Sequence, residues 1–182
     1  KKTGIPGEDS HNVMSAVEML RRIGDDDMPD FTGKSVVVIG GGNVAMDVTR
    51  SSIRLGAKQV SCVYRRRAED MTAQEEEVQG AVAEGAELLT LQAPIRIEAD
   101  ENGNAVALWT QPQMLGRMDE RGKPKISAAS LPERRIEADM IIVAIGQGIE
   151  SDAFDQSGVK ITRGRIAAQD SSQLDENSNV FA

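Results

Sequence analysis

The sequence predicts an α/β domain in three layers, with a central parallel sheet, helices against it, and an antiparallel β-meander. Three observations predict it. Ser35 to Ile39 is a run of five strand-forming residues, four of them apolar and β-branched, the pattern of a strand buried on both faces of a parallel sheet. A helical pattern and a second apolar strand follow within about thirty residues, the length of one right-handed βαβ crossover. From Ile95 onward the texture changes to short alternating strands separated by turn residues.

Length and charge bound the function. At 182 residues the chain has room for one domain with a full core, whereas two would be cramped. A net charge of −8 argues against wholesale nucleic-acid binding and requires any anion site to be built locally against that field. The single cysteine, Cys62, and the single histidine, His11, exclude an internal disulfide and a histidine-based metal cluster. No apolar run reaches membrane-spanning length and no signal peptide is legible, so a reducing, cytoplasmic setting is expected. The chain starts at Lys1 without a methionine and stops within Asn179-Val-Phe-Ala182, which reads as the opening of a strand, so a fragment of a longer protein is expected.

Ile5-Pro-Gly-Glu8 reads as a turn. Val13, Ala16, Val17, Leu20 and Ile23 recur at helical spacing, with Ser10 or Asn12 available as a cap and Gly24 as a stop. Asp25, Asp26, Asp27 and Asp30 form an acidic loop whose spacing suits a solvated connector better than a metal site. Residues 1–32 are therefore expected to be a connecting arm and helix, and residues 33–182 the domain proper.

The stretch after the first buried strand carries the chemistry. Gly40-Gly41-Gly42-Asn43-Val44-Ala45 fits G-x-G-x-x-A. Gly40 allows a tight turn off the strand, Gly42 lets backbone approach a pyrophosphate, and Ala45 lets the next helix lie close on the sheet. That helix aims its free N–H groups and positive dipole end at the phosphates. The domain is accordingly expected to be Rossmann-like. Val44, Val48 and Leu55 mark the helix's inner face, Gly56 its stop, and Gln59 to Tyr64 the second strand.

An NAD-binding domain usually places Asp or Glu at the end of that second strand, to accept from the ribose 2′-hydroxyl. This chain has Tyr64-Arg65-Arg66-Arg67 instead. Three guanidiniums suit a 2′-phosphate, which accepts bidentate charge-assisted hydrogen bonds, so NADP is expected rather than NAD. Thr72 and Glu75 match a T-x-x-E capping box, and Glu75, Glu76 and Glu77 suit the first turn of the helix it opens. Glu87 to Leu91 is a third parallel strand by its apolar content. Ile95 to Glu98 and Ala105 to Trp109 flank Asn102-Gly103, a hairpin signal, and Gln111 to Pro132 reads as a polar loop or loose hairpin. Ala138 to Ile145 returns to a buried strand ending in Gly146-Gln147-Gly148. Ligands of open parallel sheets bind beyond the carboxyl ends of the strands, so Gly146 and Gln147 are expected to face the same edge as Gly40 to Asn43. Lys160 to Ile166 reads as a small hairpin before Val180-Phe181.

These residues resemble a known family. Gly4-Ile-Pro-Gly-Glu8, Val37 through Asp47, Tyr64-Arg-Arg66, Met71 with Glu77, Ala144-Ile-Gly-Gln147 and Asn179-Val-Phe-Ala182 resemble the NADPH-binding domain of the glutamate synthase small (β) subunit. The resemblance extends to the matching domains of dihydropyrimidine dehydrogenase and NADPH-dependent ferredoxin oxidoreductases, and it covers essentially the whole chain. It implies a domain inserted within an FAD-binding domain, with Ile5 to Glu8 as the outgoing crossover and Val180-Phe181 as the return. Thr72-Ala73 departs from the family's Pro-Gly or Pro-Ala after the methionine.

The resemblance further implies hydride transfer from NADPH to FAD, with electrons leaving through iron–sulfur centres on a partner domain or subunit. The cofactors carry such chemistry, so no catalytic acid, base or nucleophile, and no metal ligand, is expected from this chain. The expected cofactor-binding residues are Gly40, Gly41, Gly42, Asn43, Val44, Ala45, Tyr64, Arg65, Arg66, Gly146 and Gln147. The FAD is expected on a missing domain of the full-length protein rather than on this fragment. Two other readings stand beside this one. A self-sufficient dehydrogenase needs a proton donor, and Ala68 follows Tyr64 by four, so no Y-x-x-x-K motif exists. A non-catalytic nucleotide sensor is the third class.

Overall fold

β2, Ser35–Ile39, is buried along its whole length, and its alternating side chains face two different cores. Val36 and Val38 point to the helical side, with Met19, Phe31, Ala45, Met46 and Val48. Val37 and Ile39 point to the opposite side, with Val63, Ile97, Leu108 and Ile136. Period two in a strand and two apolar covers explain why Ser35 to Ile39 is a continuous apolar run rather than an alternating one. Each fully buried valine or isoleucine contributes about 1.5–3 kcal/mol relative to exposure.

The computed structural model describes residues 1–119, 124–147, 152–162, 165–168, 173–174 and 177–181. The chain divides into two units, Lys1–Gly146 and Gln147–Ala182.

In the first unit, β1 (Val13–Ser15), β9 (Met140–Val143), β2, β3 (Gln59–Val63) and β4 (Glu87–Leu89) form a five-stranded sheet in that order. Every neighbouring pair in it is parallel. Helices α1 (Ala16–Gly24), α2 (Asn43–Arg54) and α3 (Glu75–Ala83) cover one face. The other face is covered by an antiparallel meander of β5 (Gln92–Ala99), β6 (Ala105–Met118) and β8 (Arg134–Glu137), while the far half of β6 pairs with β7 (Pro124–Ala128). Helices, parallel sheet and meander are the three expected layers.

Several local expectations are corrected. Val13 belongs to a strand and not to the first helix, because Val13 to Ser15 pair with Ile141 to Val143. The cap of α1 is Ser15, whose side chain accepts from Glu18 N–H at 3.1 Å, and not Ser10 or Asn12. Residues 1–32 supply an edge strand and a packed helix to the first unit. The third parallel strand stops at Leu89, short of the expected Leu91. The expected capping box does not form, because α3 begins at Glu75 with Gln74 as its N-cap and no side-chain cap bond. The first-turn glutamates still suit the dipole, and Glu77 takes a 2.7 Å bond from Arg50 of α2. Finally, β6 runs on to Met118 and pairs with β7, so much of 111–132 is a strand pair, the hairpin alternative.

Asn12 has a different job from capping. Its amide donates to the carbonyls of Ala105 and Asp139 at 2.9 and 2.7 Å and accepts from Ala105 N–H at 2.6 Å. It ties the start of β1 to the meander and to β9. On the outer face of the meander, Glu98 accepts from Arg135 at 2.9 and 3.0 Å and from the Trp109 indole at 2.7 Å, and Arg96 lies 4.3 Å over the Trp109 ring. The Asn102-Gly103 turn forms between β5 and β6, with Gly103 at φ +81° and Asp100 accepting from Asn102 and Asn104.

The second unit contains α4 (Asp152–Gln156), the antiparallel pair β10 (Ile161–Thr162) and β11 (Arg165–Ile166), and the pair β12 (Gln173–Leu174) and β13 (Asn177–Phe181). The hairpin expected over 160–166 is the β10–β11 pair. Gly148 lies outside the described residues.

Two outcomes check this packing. Asn12→Ala removes three bonds that join separate elements and should cost about 2 kcal/mol in urea denaturation, against near zero for a substitution at exposed Glu101. Arg135 and Trp109 together hold the Glu98 carboxyl well down, to about 2 from the ordinary 4.5. A depressed folded value means its stabilisation is present above about 4.5 and is lost as pH falls through about 2. Acid titration of stability should therefore be shallower in Glu98→Gln across that window, and identical slopes would refute the assignment.

Candidate functional site

Three strands end level with one another, and their register decides what meets at that edge. Ile39 is aligned with Val63 on one side and Val143 on the other. The next residues, Gly40, Tyr64 and Ala144, therefore leave the sheet side by side. Gly40 N–H donates to the Val63 carbonyl at 3.1 Å, and Ala144 N–H to the Ile39 carbonyl at 2.8 Å. Gly40 has φ +155°, and a Cβ built on it would lie 2.4 Å from the Ala144 carbonyl oxygen. No side chain fits there. A Cβ on Gly41 would lie 2.5 Å from carbons of the Tyr64 ring, so that ring packs against bare backbone.

Residues 72–74 clamp this turn. Thr72 and Ala73 N–H groups both donate to the Gly41 carbonyl, at 2.9 and 3.1 Å, and Asn43 Oδ1 accepts from Gln74 N–H at 2.8 Å. Thr72 thus serves the glycine turn instead of capping α3. Gly42 is the N-cap of α2, and its carbonyl accepts from Ala45 and Met46 at 2.9 and 3.2 Å. The first N–H groups of α2 have no intrahelical acceptor, and the positive end of the helix dipole lies at the turn. The first turn of α2 carries no acidic side chain, whereas that of α1 has Glu18 and that of α3 has three glutamates. Beneath the turn, Ala45 is fully buried, and Cys62 lies 3.4 Å from the Gly40 carbonyl with its thiol pushed up to about 12 by burial.

A cleft of about 440 Å³ opens over this edge. Gly40 to Val44 form its centre, Tyr64, Arg65 and Arg66 one side, and Ala144, Ile145 and Gly146 the other, with Thr72 and Pro94 completing the lining. That lining carries two guanidiniums and no carboxylate. In a protein of net charge −8 the lining is a locally cationic one.

The arginines are not equivalent. Arg65 is exposed, with no ion-pair partner among the described residues. Arg66 is half-buried and its Nη1 donates to the Pro124 carbonyl at 3.2 Å. Arg67 does not line the cleft, because it donates to both carboxylate oxygens of buried Asp70 at 2.9 and 3.1 Å and holds that carboxyl below the usual range. The expected three-guanidinium clamp is thus reduced to two. The Tyr64 hydroxyl donates to the Asp70 backbone carbonyl at 2.9 Å, and burial pushes its pKa up. His11 lies against Gly103 in the β5–β6 turn.

A family model described as pyridine nucleotide-disulphide oxidoreductase matches residues 1–182. The chain belongs to the pyridine nucleotide-disulphide oxidoreductase family. It is 33% identical to the NADP(+)-dependent formate dehydrogenase subunit beta of Moorella thermoacetica over 100% of this chain and 26% of that protein. It is 34% identical to the glutamate synthase (NADPH) small chain of Escherichia coli strain K12 over 79% of this chain and 32% of that protein. Among solved structures, T. acidophilum thioredoxin reductase matches with a TM-score of 0.70 at 18% identity, over 96% of this chain and 50% of that one. Mycobacterium tuberculosis FprA in complex with NADPH matches with a TM-score of 0.70 at 20% identity, over 93% and 53%. At those identities the structural likeness shows the fold. The chain spans about a third or less of these two curated relatives and about half of the solved structures.

In this family member, ten of the eleven expected site residues lie at the one sheet edge. Gly40 to Val44, Tyr64 to Arg66 and Gly146 line the cleft, and Ala45 lies under it. Gln147 is exposed and begins the second unit. Reading the residues missed Thr72, Pro94, Ala144 and Ile145 as lining, and it missed Leu91. Leu91 takes φ +55°, a left-handed conformation that costs a non-glycine residue about 1–3 kcal/mol. It makes two backbone bonds there, donating to the Arg66 carbonyl at 3.0 Å and accepting from Gln113 N–H at 2.8 Å. Nothing about a leucine in an apolar run announces this role.

Gly40→Ala should destabilise the chain by about 2–4 kcal/mol, through the clash with the Ala144 carbonyl and the strained φ. Gly85→Ala, which has the strained φ but meets nothing within 4 Å, should cost less. Equal midpoint shifts in denaturation would show that the clash carries no weight.

Proposed function

We propose that this chain is the NADPH-binding module of a flavin-dependent oxidoreductase of the glutamate synthase small-subunit type. It positions NADPH for hydride transfer to an FAD on another domain of the longer protein, and iron–sulfur centres on a partner domain or subunit carry the electrons onward. The observation that carries the reading is a single cleft in which a glycine turn and an uncompensated helix N-terminus meet two arginines at the end of β3.

The charges argue for the phosphorylated cofactor. A ribose diol wants a carboxylate acceptor at the end of β3, and the cleft lining has none. A 2′-phosphate wants guanidiniums, and Arg65 and Arg66 stand there. The glycine turn and the first N–H groups of α2 fit the pyrophosphate. Ala144 to Gly146, on the opposite side of β2 from the arginines, bound the nicotinamide half. When bound, the nicotinamide supplies the hydride, and this chain's residues bind it and set its orientation. Two relatives named for NADP(+) or NADPH, and a similar structure holding NADPH, support the reading. The direct-dehydrogenase alternative loses ground, since the Tyr64 hydroxyl is committed to the Asp70 carbonyl and His11 to the β5–β6 turn.

Calorimetric titration tests the proposal. NADPH should bind more tightly than NADH by about 1.5–3 kcal/mol, and Arg65→Ala/Arg66→Ala should erase that difference while leaving NADH binding nearly unchanged. Equal affinities for the two nucleotides in the unaltered chain would sink it.

A further inference from the structure

We infer that the β6–β7 hairpin is a specificity element of the cleft, in which the Pro124 carbonyl holds the Arg66 guanidinium ready for the 2′-phosphate of an adenine nucleotide. The inference rests on the NADPH reading and goes beyond it, because it moves part of the selectivity from the arginines to a hairpin that only one of them touches.

Arg66 is bracketed twice by the same piece of chain. At its backbone, the Arg66 carbonyl accepts from Leu91, whose own carbonyl accepts from Gln113 at the start of the hairpin. At its side chain, Nη1 donates to the Pro124 carbonyl at 3.2 Å, from the hairpin's return strand. β6 and β7 close the circuit through the pairs Gln113↔Ala128, Leu115↔Ile126 and Met118↔Pro124. Backbone and guanidinium are thus both tied to the β6–β7 pair, the first through Leu91 and the second through Pro124. A guanidinium has five N–H donors in a fixed fork, and Pro124 takes one, leaving the others for the cleft that Arg66 lines. An arginine already held loses less rotamer freedom on binding than a free one such as Arg65.

Beyond buried Pro124, core packing accounts for little of the hairpin. Thr110 is the last fully buried residue of β6, and Met114, Leu115 and Met118 are 52%, 45% and 64% exposed. Leu91 also holds its left-handed backbone to make the two bonds that join Arg66 to the hairpin. The part of β6 beyond Gln113 buries little, but it delivers Pro124 to the arginine.

The test is a double-mutant cycle with a shortened hairpin, in which residues 115–126 are replaced by Asn-Gly to join the paired residues Met114 and Ser127. The Gln113–Leu91 bond is retained while the guanidinium contact is removed, and the Arg65→Ala arm controls for the charges and strand pairs lost with it. The ligands are adenosine 2′,5′-bisphosphate and 5′-AMP, which differ by the 2′-phosphate alone. Shortening should weaken the bisphosphate about tenfold and leave 5′-AMP unchanged. Arg66→Ala should then cost much less in the shortened chain than in the unaltered one, whereas Arg65→Ala should cost the same in both. An unchanged preference for the bisphosphate, or an equal Arg66→Ala penalty in both backgrounds, overturns the inference. Arg66 should also show slower guanidinium rotation than Arg65 by nuclear magnetic resonance in the unaltered chain, and equal rates overturn it even where the shortened chain does not fold. If the unaltered chain shows no preference for the bisphosphate, the NADPH reading itself fails, and the inference that rests on it fails with it.

Discussion

The approach of Gly40 to the Ala144 carbonyl is the constraint on which the rest of the site depends. Three parallel strands reach the sheet edge in register, and their backbones then separate. At Gly40 the separation is so small that a Cβ would lie 2.4 Å from the Ala144 oxygen. Removing the side chain lets β2 turn at once into α2, which brings the helix N-terminus over the edge and not beyond it. Gly41 repeats the economy against Tyr64. The result is a floor of bare backbone between two strand ends, at the positive end of the α2 dipole.

Electrostatics supply the second half of the design. The chain carries a net charge of −8, and most of its arginines are engaged with carboxylates: Arg50 and Arg54 with Glu84, Arg67 with Asp70, Arg135 with Glu98. Arg65 and Arg66 are exceptions at the cleft. Arg67, one residue on, differs only in having Asp70 within reach. A run of three arginines thus divides its labour according to which of them finds a carboxylate first.

The meander serves the site as well as the core. Where a regular βαβ series would send another helix across the face, β5, β6 and β8 cover it with strands. Leu91 is the switch between the two regimes. It follows the last parallel strand, takes a left-handed backbone, and hands hydrogen bonds to both the arginine turn and the meander. A cover built from long strands can extend past the core, and β6 does so to pair with β7, whose Pro124 carbonyl accepts from Arg66.

The sequence by itself determined the architecture and most of the cleft. The mainly apolar runs within Ser35 to Ile39 and Met140 to Val143 suit strands covered on both sides, and glycines after the first of them suit a tight turn into a helix beside a close backbone. These are local signals, since period, length and missing side chains are written in adjacent residues. Tertiary structure alone decided what distant partners impose. Val13 to Ser15 looks helical by spacing and becomes a strand because β9 offers an unpaired edge. Thr72 and Glu75 spell a capping box, yet Thr72 is drawn to the Gly41 carbonyl instead. Arg66 and Arg67 are identical in composition and opposite in use, because Pro124 is 58 residues from one and Asp70 is three from the other. A residue's neighbours along the chain limit its backbone conformation, but a hydrogen bond goes to whichever acceptor the fold brings within reach.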